Sequence, residues 1–183
     1  MKAYVALLRS INVSGHHIIK MADLKVLLAR PDFLNLTTYL QSGNLVFESE
    51  IESPEMLENM LAELIKDHYG YDIKVKVYDA SAFQDAYIKN PFLKVEEIDT
   101  KKLYYIHVLG QVDKATFEAI KSKVNFPEEM FLIDNTIYVY YSNGYGRSKV
   151  TGSFFEKNLK LFVTARNNNT MKNLLEKIEN LKG

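Results

Sequence analysis

The chain has 183 residues, 47% of them hydrophobic, which allows one large domain or two small ones with real cores. Lys plus Arg and Asp plus Glu number 23 each, so no net charge draws the protein to nucleic acid or to an anionic membrane. Without cysteine, disulfides, thiolate catalysis and cysteine metal sites are excluded, and no apolar run approaches the roughly 20 residues of a membrane span.

Ala3 to Leu8 is an apolar run that suits a buried strand. The N-terminus reads as that strand and not as a signal peptide, so a cytoplasmic setting is expected. Met21, Leu24, Leu27 and Leu28 follow at helical spacing, and Arg30-Pro31 stops the helix. In TYLQSGNLVFES two β-favouring runs flank Ser42-Gly43, which predicts a hairpin. Ser53-Pro54-Glu55 opens a second helix with Leu57, Met60, Leu61, Leu64 and Ile65 on its apolar face, closed by Gly70. Asp72 to Tyr78 alternates as a strand. The first 79 residues thus spell β-α-β-β-α-β.

A connecting helix is predicted from Ser81-Ala82-Phe83-Gln84, a capping-box pattern, to Asn90-Pro91, followed by the acidic stretch Lys94 to Lys102. These residues, 80–100, mark the boundary. From 101 to 183 the order repeats: strand Leu103 to Leu109, helix capped by Asp113 with Phe117 and Ile120, and strands Met130 to Ile133 and Ile137 to Tyr141 about Asp134-Asn135. A short helix capped by Thr151 or Ser153 runs through Leu159, strand Leu161 to Ala165 follows, and a terminal helix carries Met171, Leu174, Leu175, Ile178 and Leu181. The expected fold class is α+β: two tandem ferredoxin-like (βαββαβ) modules with antiparallel sheets of order 4-1-3-2 and a C-terminal helix.

This topology groups polar loops. The C-terminal ends of strands 1 and 2 in a module share one end of its sheet, and those of strands 3 and 4 share the other. In the first module, Arg9, Ser10, Asn12 and Ser14 therefore meet Gln41, Ser42 and Asn44. Small residues and Gly15 leave backbone amides open to a polar ligand; the plainer alternative is turn geometry alone. In the second module, SNGYGRSK and TARNNNTMK meet, gathering Arg147, Ser148, Lys149, Thr164, Arg166, Asn167 and Asn169 near two helix starts. Charge supports an anion-attracting C-terminal part: residues 144–183 hold 8 bases against 3 acids, whereas 51–100 hold 11 acids against 5 bases. The plainer alternative is caps at Asn169 or Thr170 and solvated cations. A nucleotide P-loop is disfavoured, because the G-x-x-x-x-G-K-[ST] spacing and a parallel sheet are both absent.

His16, His17, His68 and His107 show no metal-ligand spacing, and no serine lies in a hydrolase elbow. Neither cofactor nor metal is expected, and no catalytic constellation is recognisable. Tyr105 with His107, and Tyr138 with Tyr140, would stack RNA or single-stranded DNA if they lay on open sheet faces, though no RNP1-like pattern accompanies them.

MKAYVALLRSINVSGHHIIKMADLKVLL with TYLQSGNLVF resembles the opening of a widespread bacterial family of unknown function, and YYSNGYGRSK with TARNNNT resembles its closing motifs. The resemblance implies two tandem ferredoxin-like modules and supplies no activity. Its motif positions here are Arg9, Asn12, Gln41, Ser42, Gly43, Asn44, Asn90, Pro91, Gly146, Arg147, Ser148, Lys149, Thr164, Arg166, Asn167 and Thr170. It implies glycines where this chain has Ser10 and Ser14, and a tryptophan where it has Asn168. The leading expectation is a protein that binds a small anionic or polar ligand at the second loop cluster. Nucleic-acid binding, an enzyme acting on a phosphorylated metabolite, and a structural or partner-binding module are the alternatives.

Overall fold

The computed structural model describes residues 1–122 and 127–181. The chain divides into two compact units, Met1–Asp85 with Asn173–Gly183, and Ala86–Lys172. The sequence groups the whole terminal helix with the second module. Its later part, from Asn173, instead belongs to the first unit.

The first unit holds strands β1 (Lys2–Leu8), β2 (Leu34–Tyr39), β3 (Asn44–Ser49) and β4 (Val75–Asp79) in the order β2-β3-β1-β4, every neighbour antiparallel. Tyr4 through Leu8 are all buried, which is why β1 is a continuous apolar run and not an alternating one. Helices α1 (Met21–Leu27) and α2 (Pro54–Tyr69) supply Leu24, Leu57, Leu61 and Ile65 to a core shared with Tyr4, Ala6, Leu8, Leu45 and Phe47. The Ser53 hydroxyl accepts from Met56 N–H at 3.2 Å, Pro54 occupies the first turn, and Gly70 ends α2 at φ 73°.

Helix α3 (Ala80–Ile88) begins one residue before the predicted capping box. The Asp79 carboxylate caps it by accepting from Ala82 N–H at 2.8 Å. Ser81 lies inside the first turn and has no capping role. Two 3-10 turns, Pro91–Lys94 and Thr100–Lys102, occupy the stretch before the second sheet.

The second unit repeats the topology with β5 (Leu103–Leu109), α4 (Lys114–Ser122), β6 (Glu129–Ile133), β7 (Thr136–Tyr140), α5 (Gly152–Leu159) and β8 (Phe162–Asn167), in sheet order β6-β7-β5-β8. Ile106, Val108, Ile137, Val139 and Val163 pack with Phe117, Phe155 and Leu159 on the helix-covered face of this sheet. Strand β8 runs two residues past the predicted end, to Asn167, and α6 (Asn168–Leu181) follows without a loop. No helix among the described residues is long and apolar enough to cross a membrane.

Candidate functional site

The loop after β1 folds back on itself. Val13 and His16 form an isolated bridge, and Ser10, Asn12, Ser14 and His17 all take positive φ between 47° and 53°. The two serines thus occupy left-handed backbone at the positions where the resemblance implies glycine, at a cost of about 1–2 kcal/mol each. Asn12 holds the loop. Its Nδ2 donates to Ile19 O at 2.9 Å and to Gln41 O at 2.7 Å, and its Oδ1 accepts from Ile19 N–H at 2.9 Å. The loop and the hairpin tip therefore do meet. Asn44 is buried and its Nδ2 closes the turn on Tyr39 O and Ser42 Oγ. Arg9 is half-buried, its backbone N–H on Lys74 O at 2.9 Å, while Ser10, Gln41 and Ser42 are exposed. The two asparagines of this cluster hold the loop and the turn together.

Tyr104 is the anchor in the second unit. Tyr145, from SNGYGRSK, stacks on it with ring centroids 4.6 Å apart and an interplanar angle of 11°, and Tyr141 meets both edge-on at 5.1 Å. Asn167, from TARNNNT, hydrogen-bonds the Tyr104 side chain, which partly offsets the rise in its pKa caused by burial and by Tyr145. The two closing motifs do converge, through a tyrosine that the sequence reading did not single out. Asn167 Oδ1 also accepts from Thr170 N–H at 2.8 Å, so Asn167 caps α6 and neither Asn169 nor Thr170 does. Thr151 precedes α5 without a side-chain capping bond.

The arginines part company. Strand alternation puts Asn167 on the helix-covered face with Tyr104, and Thr164 and Arg166 on the opposite face with Tyr105 and His107. Arg166 is buried, and its Nη1 donates to Thr164 Oγ1 and to Ala165 O, both at 2.8 Å. Burial lowers its pKa to about 10, so the guanidinium stays charged at neutral pH. Arg147 and Lys149 are exposed, and the Ser148 hydroxyl accepts from Val150 N–H at 2.9 Å.

The polar face that carries Arg166 is a closed aromatic layer. Tyr105, Tyr138 and His107 are buried; Tyr87 stacks on Tyr105 at 5.9 Å and 12°, and Tyr138 OH donates to Ala86 O at 2.8 Å. Tyr140 is half-buried beside Phe92. These rings are packed against protein and do not form the open stacking surface envisaged for RNA.

At the end of the sheet where β7 and β8 finish and β5 starts, a cleft of about 460 Å³ is lined by Thr100, Lys101, Asn168, Asn169 and Lys172. Only Asn169 among these was in the predicted cluster. Asn168 is 4% exposed, and its Oδ1 accepts from Tyr105 OH at 3.0 Å. The Asn168 side chain also hydrogen-bonds Tyr87. Burial raises the Tyr105 pKa far above the usual phenol value, so this hydroxyl remains a donor at any physiological pH. Its lining residues are two lysines, a threonine and two asparagines, side chains that can supply a donor-rich set suited to an oxyanion. Thr100 and Lys101 were legible from the same topological rule, because the N-terminal end of β5 shares this end of the sheet. The expected cluster drew only on the C-terminal ends of strands. Among the described residues no cluster of His, Asp and Glu could hold a metal ion.

A family model described as "Protein of unknown function (DUF1697)" matches residues 1–138. Among solved structures, the chain is similar to the conserved bacterial protein SP0830 from Streptococcus pneumoniae, with 19% identity over 98% of this chain and 99% of that one, and a TM-score of 0.76. At that identity the likeness shows the fold. No curated protein matches the chain.

Proposed function

Because the chain belongs to this family of unknown function, we propose a role from its own geometry: it binds a small oxyanion, a phosphate or carboxylate group, in the cleft of Thr100, Lys101, Asn168, Asn169 and Lys172. The observation that carries the reading is a buried asparagine, bonded to a buried tyrosine, lining a cleft that also holds two lysines. Two lysines lining one cleft favour an anion there, and a fixed amide adds direction to a hydrogen bond that flexible lysines alone would leave loose. Tyr141 N–H donates to Lys102 O at 2.9 Å, which ties the start of SNGYGRSK to this end of the sheet. Arg147 and Lys149 follow in that segment as exposed cations, and their part in the reading is long-range attraction. We also infer a cytoplasmic setting, testable by fractionation of a tagged protein.

Thermal unfolding with inorganic phosphate, malonate and a sugar phosphate, up to about 10 mM, tests the reading. At least one oxyanion raises the Tm of the wild-type protein, and the double substitution Lys101→Gln, Lys172→Gln removes the rise. An unchanged Tm across all three overturns it, as does an equal rise in the double variant.

A further inference from the structure

Asn168 is the one buried residue lining the cleft, and the way it is held says more about the ligand. A side-chain amide has an acceptor end and a donor end, and a bond to one end fixes where the other points. Tyr105 OH donates to Asn168 Oδ1 at 3.0 Å, which assigns the oxygen to the tyrosine. The Asn168 side chain also hydrogen-bonds Tyr87. Both tyrosines are themselves fixed, because their rings stack at 5.9 Å and Tyr105 meets Tyr138 edge-on at 5.5 Å. Behind them Asn90 is fully buried. Its Oδ1 accepts from Phe92 N–H at 3.0 Å, and its Nδ2 has no well-formed hydrogen bond among the described residues, although its side chain acts on the Tyr105 hydroxyl.

We infer that Tyr105 is a positioning residue that, through Asn168, makes the cleft a surface of donors and so selects oxyanions over neutral or cationic ligands. The inference rests on the oxyanion reading. Without the Tyr105 hydroxyl Oδ1 loses its donor, the preference for that orientation weakens, and an amide that turns its oxygen toward an anion repels it.

Tyr105→Phe removes one hydroxyl and keeps the ring that Tyr87 and Tyr138 pack against. Titration with inorganic phosphate, followed by the Asn168 Nδ2H₂ resonances in ¹⁵N-labelled protein, reads affinity and amide orientation together. Tyr105→Phe is expected to weaken phosphate about tenfold and to shift the Asn168 resonances of the ligand-free protein. Phosphate affinity unchanged in a folded Tyr105→Phe overturns the positioning role. If wild-type protein binds no phosphate, the oxyanion reading fails; the ligand-free resonances then decide the orientation by themselves, and their identity in both proteins overturns that too. Should Tyr105→Phe not fold, Tyr87→Phe removes the other hydroxyl that hydrogen-bonds Asn168: weaker phosphate binding with shifted Asn168 resonances supports the inference, and both unchanged overturn it.

Discussion

Replacing Gly43 with alanine tests how the hairpin tip seats on the first sheet. Gly43 has φ 75°, and a Cβ there would stand 2.6 Å from Ile11 Cδ1 and 2.7 Å from Leu8 Cβ. Both neighbours are buried, and Gly43 O accepts from Leu8 N–H at 2.8 Å, so the turn has little room to retreat. The left-handed backbone costs an alanine about 1 kcal/mol, and the overlap adds about 2 kcal/mol in line with other overpacked sites. The sum of about 3 kcal/mol corresponds to a fall in Tm of about 6–12 °C for a chain of this size. Gly70→Ala is the matched control: φ is 73° and nothing lies within 4 Å of its Cβ position, so only the backbone cost of about 1 kcal/mol applies. Both variants share the loss of unfolded-chain freedom, so their difference isolates the overlap. Urea titration followed by far-UV circular dichroism reads both. A Gly43→Ala cost no larger than that of Gly70→Ala would refute the packing of the tip against Leu8 and Ile11.

Ser10→Gly and Ser14→Gly relieve left-handed backbone worth about 1–2 kcal/mol and lose about 0.4–1 kcal/mol to the freer unfolded chain, so each is expected to stabilise by about 0.5–1 kcal/mol in the same urea assay. Asn12→Ala strips partners from Ile19 N–H, Ile19 O and Gln41 O at once and is expected to cost about 2–3 kcal/mol, with the Ile19 amide losing hydrogen-exchange protection. Asn167→Ala removes the α6 cap and is expected to cost about 1 kcal/mol, with faster exchange at the Thr170 amide as its local signature.

Much of the architecture was legible because local chemistry and tertiary need agree. Ser53-Pro54, Gly70 and the two hairpin tips are written in residues whose backbone preferences leave few options. Boundaries failed where two signals competed. The Ser-Ala-Phe-Gln pattern resembled a capping box, but the carboxylate of Asp79, at the end of β4, reaches the free N–H groups first. At the other junction Asn167, the last residue of β8, does the same for α6. In both places strand passes to helix with no loop between them, and a cap at the strand's last residue looks in sequence like part of the strand.

The candidate site was legible as a place and not as a set of side chains. Grouping loops by the sheet end they share brought SNGYGRSK and TARNNNT together correctly, because topology alone decides that. It treated TARNNNT as one cluster, whereas residues 162–167 are strand, and a strand separates odd from even positions. Arg166 shares a face with Thr164, and its guanidinium bonds Thr164 and the Ala165 carbonyl along that face. Asn167, one residue on, belongs to the face of Tyr104. An arginine in such a register can bond the strand's own polar atoms, as Arg166 does. A lysine before the next strand, such as Lys101, has none of that geometry to satisfy and is left at the sheet end, where a ligand can meet it. A place inside a strand or just before one therefore separates a cation that bonds along the sheet face from one at its end.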